Sequence, residues 1–210
     1  MKTSHPDSSP TQTDGRYSLA PQAMAARRQP AVGIVAMAPQ QWLTEGFDIC
    51  YSTIDGRWGP MLAASTPVGL CHLAFADRPD LALQRLRSLF AGAHLVERAT
   101  ATHQAAATHI GGCDAPCDIS LHIAASPFQL DVYTALLTVD AGSTIGYARL
   151  AALARHPGAQ RSVGTALSRN PVAVIVPCHR VVPACGRVGH YRWGEQRKAA
   201  MLDWERSHTL

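Results

Sequence analysis

The 210-residue chain has no apolar run long enough to span a membrane. No apolar leader core follows Met1-Lys2, so the pattern of a secretory signal is missing. Six cysteines, Cys50, Cys71, Cys113, Cys117, Cys178 and Cys185, fall at irregular intervals and outline no disulfide framework. No internal repeat is visible. These absences exclude a membrane-spanning protein, a disulfide-stapled secreted domain and a solenoid. They point to a reducing cytoplasm, where a free thiol stays usable.

Lysine is scarce where positive charge is densest. The formal net charge is only +4, unevenly spread. Residues 1–119 hold nine basic and ten acidic residues, 9 − 10 = −1, whereas residues 120–210 hold ten basic and five acidic, 10 − 5 = +5. Nearly all the cations of the second half are arginine, whose planar fork suits phosphates and stacks on bases. Charge alone is also satisfied by a solvated surface.

Residues 1–40 are rich in Ser, Thr, Pro, Gln and Ala without sustained periodicity and read as a disordered tail. From Phe47 to Ser52 the pattern alternates, Asp55-Gly56 is a hairpin signal, and Met61–Ser65 and Leu70–Phe75 read as further strands. Leu81, Leu83, Leu86 and Leu89 recur at helical spacing within 80–90. Residues 45–119 are therefore expected to form a small sheet-plus-helix scaffold, with 91–119 undecided between helix, strand and loop. Residues 125–207 read as mostly helical. A helix starts at Pro127 and runs to Leu137. Ser143 or Thr144 can cap a second that runs to Ala154. His156-Pro157-Gly158 breaks it, and Ala159 to Ser168 makes a third. The last two form a helix-turn-helix pattern. The fold class is α+β.

Val172 to Val176 is an apolar, strand-like run that enters Pro177-Cys178-His179-Arg180, with Val181-Val182 beyond. A run of this kind delivers a cysteine to a bend at the end of a rigid element. His179 and Arg180 flank it, and both stabilise a thiolate. From these residues alone, a reactive and a structural cysteine both remain open.

Three neighbouring motifs resolve the choice. Arg161-Ser162-Val163-Gly164 lies on the third helix, Asn170-Pro171 precedes the cysteine block, and Tyr191-Arg192-Trp193-Gly194 follows it. Together the order and spacing over residues 126–205 resemble the methylated-DNA–protein-cysteine methyltransferases, and the Tyr-Arg-Trp-Gly stretch is most similar to the alkyltransferase half of Ada-type proteins. The resemblance implies a DNA-binding second half in which Cys178 takes an alkyl group from O6-methylguanine once and irreversibly. His179 then relays the thiol proton, directly or through a water, and Glu205 orients His179. Tyr147 crowds the target phosphate and donates a proton toward the base. Asn170 ties the active-site turn. Arg161 fills the gap left by a flipped nucleotide. Ala159, Gln160, Gly164, Thr165, Arg169 and Arg180 complete the DNA contacts, in the minor groove of the duplex. Pro177, Val181, Tyr191 and Arg192 line the base pocket.

Departures from the pattern are Tyr133 in place of tryptophan, Gly146 before Tyr147, and Gln160 where a small or β-branched residue is usual. Taken singly, Tyr147 also suits a core, Glu205 a solvated helix face and Asn170 a helix end. A zinc module built on Cys178, His179, Cys185 and His190 matches no common spacing, and Cys113-x-x-x-Cys117 is a lone pair. No metal or other cofactor is expected, and the partner is alkylated double-stranded DNA, bound by a monomer. The competing class is a non-catalytic sensor of alkylated DNA or an Ada-type regulator. An intact Cys178 argues against the sensor.

Overall fold

A computed structural model describes residues 32–38, 40–112 and 118–208. Its centre is a six-stranded mixed sheet. The strands are β1 (Val32–Ala36), β2 (Ile49–Gly56), β3 (Gly59–Ser65), β4 (Leu70–Phe75), β5 (Leu95–Glu97) and β6 (Ile119–Ile123), in the order β1-β6-β4-β3-β2-β5. β2, β3 and β4 form an antiparallel meander. β1 and β5 close the two edges in parallel pairings.

Alternation along β3 explains how the sheet is covered. Met61 and Ala63 point into one core cluster and Leu62 and Ala64 into the other. On one face, Leu62, Ala64 and Cys71 pack against Leu86 and Phe90 at the end of the helix Pro79–Leu89 and against Trp42. Trp42 meets Phe90 edge-on, with centroids 5.1 Å apart. On the other face, Met61, Ala63, Leu73 and Leu121 share a core with the helices of the second half. Gly69, just before β4, runs close against the main chain of β6. A Cβ there would stand 2.3 Å from the Ser120 carbonyl oxygen, so only glycine fits.

Two helices flank this core early in the chain, α1 (Gln41–Thr44) and α2 (Pro79–Leu89), and a third, α3, covers Ala101–Ile110. Thr100 caps α3 by accepting from the His103 amide. The second half contributes α4 (Pro127–Leu137), α5 (Tyr147–Leu153), α6 (Gln160–Ser168) and α7 (Glu195–His208). α4 begins as its sequence dictates: Ser126 and Gln129 form a reciprocal capping box, with Pro127 in the first turn. Tyr133 is fully buried, and its hydroxyl donates to the Ala166 carbonyl at 2.9 Å, which ties α4 to α6. The tyrosine thus adds a bond between the two helices. α7 docks on the β2–β3 hairpin through Trp204, which meets Trp58 edge-on at 5.7 Å and lies under Arg57 at 4.4 Å.

Four expectations are corrected. Residues 32–36, placed in the disordered tail, are strand β1, because parallel pairing with β6 satisfies their backbone; residues 1–31 fall outside the described residues. β6 crosses the expected boundary near residue 119, so the last strand of the sheet leads directly into the helical half. The helix expected to be capped by Ser143 or Thr144 starts later, at Tyr147, with Gly146 as its cap residue. Ile145-Gly146 instead pairs as a short strand, β7, with β8 (Val181–Val182).

The fourth correction concerns Val172–Val176, which is not a strand. Only Val172 bridges the sheet, beside Leu73. The chain then turns sharply. The Ile175 amide donates to the Ala173 carbonyl at 2.9 Å, closing a γ-turn on Val174, whose φ is 71°. A second γ-turn follows, with Cys178 N donating to Val176 O at 2.8 Å around Pro177. The apolar residues of this run are buried against helices rather than beside ladder partners. Hydropathy could not distinguish those two kinds of burial.

Candidate active site

Cys178 opens a short 3-10 turn, Cys178–Arg180, and is 7% exposed. Its Sγ accepts a hydrogen bond from Asn170 Nδ2 at 3.2 Å. The same amide nitrogen donates to the Val176 carbonyl at 2.8 Å, and Asn170 Oδ1 accepts from the Val172 amide at 3.0 Å. Asn170 thus stands in for a missing strand neighbour, satisfying backbone groups of the irregular segment while holding the sulfur. Burial pushes the Cys178 thiol up. Asn170, the Lys198 ammonium and the nearby Tyr191 hydroxyl pull the other way. The Tyr191 hydroxyl itself makes no hydrogen bond of good geometry.

His179 is fully buried. Its Nε2 lies 2.9 Å from Glu205 Oε1, and its Nδ1 is buried without a hydrogen-bond partner. Burial lowers the imidazole pKa, and the adjacent carboxylate partly restores it. A ring nitrogen facing an ionised carboxylate carries the proton, which leaves Nδ1 as the basic atom. Burial pushes the Glu205 carboxyl up, but Arg180 and His179 outweigh it and hold the group well below the usual carboxylate range. Arg180 donates from Nε to both Glu205 oxygens at 3.1 Å and from Nη2 to Oε1 at 2.8 Å. Its Nη1 donates to the Val139 carbonyl at 2.6 Å. Arg180 was expected to contact DNA. It is instead turned inward, because a buried carboxylate needs a counter-charge.

A cavity of about 310 Å3 opens beside Cys178. Tyr147, Gly164, Leu167 and Ser168 line one part, and His190, Tyr191, Arg192 and Trp193 another. Gly164 lies beside Tyr147, and a Cβ there would make only an ordinary contact with the ring, at 3.8 Å. Burial and Cys178 both raise the Tyr147 pKa, so its hydroxyl keeps its proton. Pro177 and Val181, expected in the pocket, are buried but do not line the cavity. α6 turns Val163 and Ala166 inward and leaves Gln160, Arg161, Thr165 and Arg169 exposed, with Ala159 half-buried at its start. Cys185 is exposed, unlike Cys178, and Cys113 and Cys117 fall outside the described residues.

Lys198 escaped the sequence reading. It is buried, donates to the Val181 carbonyl at 2.7 Å, and has its pKa pushed down to about 8 by burial against the opposing pull of Cys178 and Glu195. A signal existed. Lys198, Met201, Leu202 and Glu205 form the buried face of α7, and a lysine within such a stripe is rarely left without a task.

A buried thiol with an amide donor on its sulfur lies at an open cavity beside a histidine–carboxylate pair, the arrangement of parts that cysteine nucleophiles use. Residues 127–207 match the family model described as 6-O-methylguanine DNA methyltransferase, DNA binding domain. A methylated-DNA–protein-cysteine methyltransferase of Mycobacterium bovis is 34% identical over 176 residues, covering 77% of this chain and 94% of that protein. The chain belongs to the methylated-DNA–protein-cysteine methyltransferase family. The crystal structure of the Mycobacterium tuberculosis O6-methylguanine methyltransferase superposes with a TM-score of 0.65 at 32% identity, covering 77% of this chain and 95% of that one. The regulatory protein Ada of Salmonella typhimurium is 33% identical over 165 residues, and the chain spans 46% of its length. Among the described residues, no helix is long and apolar enough to cross a membrane.

Proposed function

We propose that the protein repairs O6-alkylguanine in double-stranded DNA by one irreversible transfer of the alkyl group to Cys178. The thiol proton passes to His179 Nδ1, directly or through one water, while Glu205 holds the ring through Nε2. The sulfur attacks the alkyl carbon, the carbon–oxygen bond breaks, and its electron pair leaves with the guanine ring. Tyr147 donates a proton to that ring and recovers one from protonated His179 by way of solvent. Overall the thiol hydrogen is exchanged for the alkyl group, and guanine is restored. The thioether has no leaving thiol, so each molecule acts once.

A reacting carbon inside a base stack is out of reach of a buried sulfur, so the nucleotide must rotate out, at a cost of a few kcal/mol. In this reading residues 125–207 are the DNA-binding unit and the six-stranded sheet with its helices, within residues 32–123, is its scaffold. α5 and α6 serve as a helix-turn-helix in the minor groove. Arg161 stacks into the vacated space, and Gln160, Thr165 and Arg169 follow the backbone. The protein works as a monomer in the cytoplasm without a cofactor. A solved Mycobacterium tuberculosis relative in complex with DNA supports the choice of partner. The observation that carries the reading is the Cys178 sulfur, held by Asn170 and lining the cavity while His179 and Glu205 pair behind it.

The test is to incubate the protein with a duplex containing O6-methylguanine and to map the peptides by mass. One methyl per molecule, on the Cys178 peptide, is expected. Repeated turnover, or methylation of Cys185 instead, overturns the proposal.

A further inference from the structure

We infer that Arg197 and Asp77 form a strut that positions the Tyr191–Trp193 wall of the Cys178 cavity from the sheet, an inference that rests on the alkyl transfer proposed above. Arg197 lies in the first turn of α7, away from the cavity lining. Its guanidinium grips both Asp77 oxygens, with Nη1 at 3.0 Å and Nη2 at 2.7 Å. Nε donates to the Trp58 carbonyl at 3.1 Å. Nη1 also donates to the Trp193 carbonyl at 3.1 Å. The guanidinium carbon sits 4.2 Å above the Phe75 ring.

Three of these partners belong to the sheet side. Phe75 ends β4, Asp77 follows it, and Trp58 lies in the turn between β2 and β3. The fourth partner, Trp193, lines the cavity. Its ring also meets Phe75 edge-on at 5.7 Å and Tyr191 at 5.2 Å. Both the carbonyl and the ring of Trp193 are therefore fixed from the sheet. The turn that carries them is short, closed by Gly194 N donating to Tyr191 O at 3.0 Å. Gly59 lies beside the strut, and its φ of 125° is what calls for glycine. Four hydrogen bonds, two of them a bidentate grip on the carboxylate, suit the five-donor fork of an arginine and exceed the three donors of a lysine.

Exposure separates positioning from stability. The Asp77 side chain is 57% exposed, and an ion pair open to water contributes little to folding. A misplaced pocket wall, by contrast, costs rate steeply, because transfer depends on alignment of sulfur, carbon and leaving oxygen.

The experiment compares wild type with Asp77→Ala, Asp77→Glu and Arg197→Met. Asp77→Ala is expected to slow single-turnover transfer on saturating methylated duplex by about tenfold, with affinity for undamaged duplex unchanged and the assay held well below its melting temperature. Asp77→Glu, which keeps the carboxylate, is expected to restore most of the rate. Amide exchange of residues 189–194 should rise in both Asp77→Ala and Arg197→Met while exchange in α6 stays unchanged. A melting shift with no change in transfer rate or in exchange at 189–194 overturns the strut. If wild type itself transfers no methyl, the proposed function fails, and the exchange measurement still decides whether Arg197 holds this wall.

Discussion

Glu205 holds His179 and Arg180 on one carboxylate, which also accepts from the Gly142 amide at 3.2 Å. Oε1 lies 2.9 Å from His179 Nε2, and Arg180 donates to both oxygens. The arrangement keeps a negative charge buried and fixes which histidine nitrogen is free to accept a proton.

Replacing Glu205 with Gln is expected to slow alkyl transfer by roughly a hundredfold, within the range of general acid–base contributions. DNA affinity should stay unchanged, because the carboxylate faces inward. An unaltered single-turnover rate would remove Glu205 from the relay. The same change leaves Arg180 without its counter-charge and should cost about 3 kcal/mol of stability at neutral pH. That cost has a defined pH window. Glu205 is held below its unfolded value of about 4.3, so its contribution is present above that value and is lost as pH falls below it. The variant and wild type should converge in acid.

His72 gives a second window. It is buried on β4, and burial, with Arg192 adding to it, pushes its pKa down to about 4. The unfolded chain binds that proton from about pH 6.5 downward and the folded chain does not. Stability is therefore complete above about 6.5 and falls toward pH 4, by at most roughly 3 kcal/mol for this group. His72→Gln should flatten the melting-temperature profile between those limits. An unchanged slope would mean that other buried histidines dominate.

The early elements were written plainly in the sequence. Pro127 announces a helix start and the leucines of residues 80–90 a helix, because each signal is local; Asp55-Gly56 announces the hairpin, although its turn falls two residues on, at Arg57-Trp58. Cys178, His179, Glu205 and Asn170 were found through a motif order. What was missed depends on partners distant in the chain. Val32–Ala36 is a strand only because β6 lies beside it. Arg180 looked like a DNA contact until Glu205, 25 residues on, claimed it. The run Val172–Val176 has strand-like composition, and its irregular course is held by two γ-turns and by the Asn170 side chain.

Arg161→Ala should reduce repair of a methylated duplex far more than transfer from free O6-methylguanine base, where nothing needs to be rotated out. Single-turnover rates on both substrates decide it. Equal losses would assign Arg161 to the fold or the pocket. Loss of a phosphate contact would instead appear as weaker, more salt-sensitive binding to any sequence.

Asn170→Ala removes a donor from the Cys178 sulfur and two backbone partners at once. A stability loss of about 2–3 kcal/mol is expected from the stranded buried groups. The Cys178 thiol should also become less acidic, since Asn170 is the largest of the influences that lower its pKa. Urea unfolding and the pH dependence of thiol alkylation measure the two effects separately. A variant with wild-type thiol acidity would show that the amide is structural only.

Robustness to mutation is unevenly distributed across this molecule. In the meander each strand is held by a ladder of main-chain bonds that substitution of a side chain leaves in place. The loop from Val172 to Cys178 has one ladder contact, at Val172, and beyond it is held by a few local main-chain bonds together with the Asn170 side chain. Most codons of the sheet can drift within the limits of size and hydropathy. Asn170 bonds both that loop and the sulfur, so drift at its codon would strand main-chain groups and disturb the thiol together.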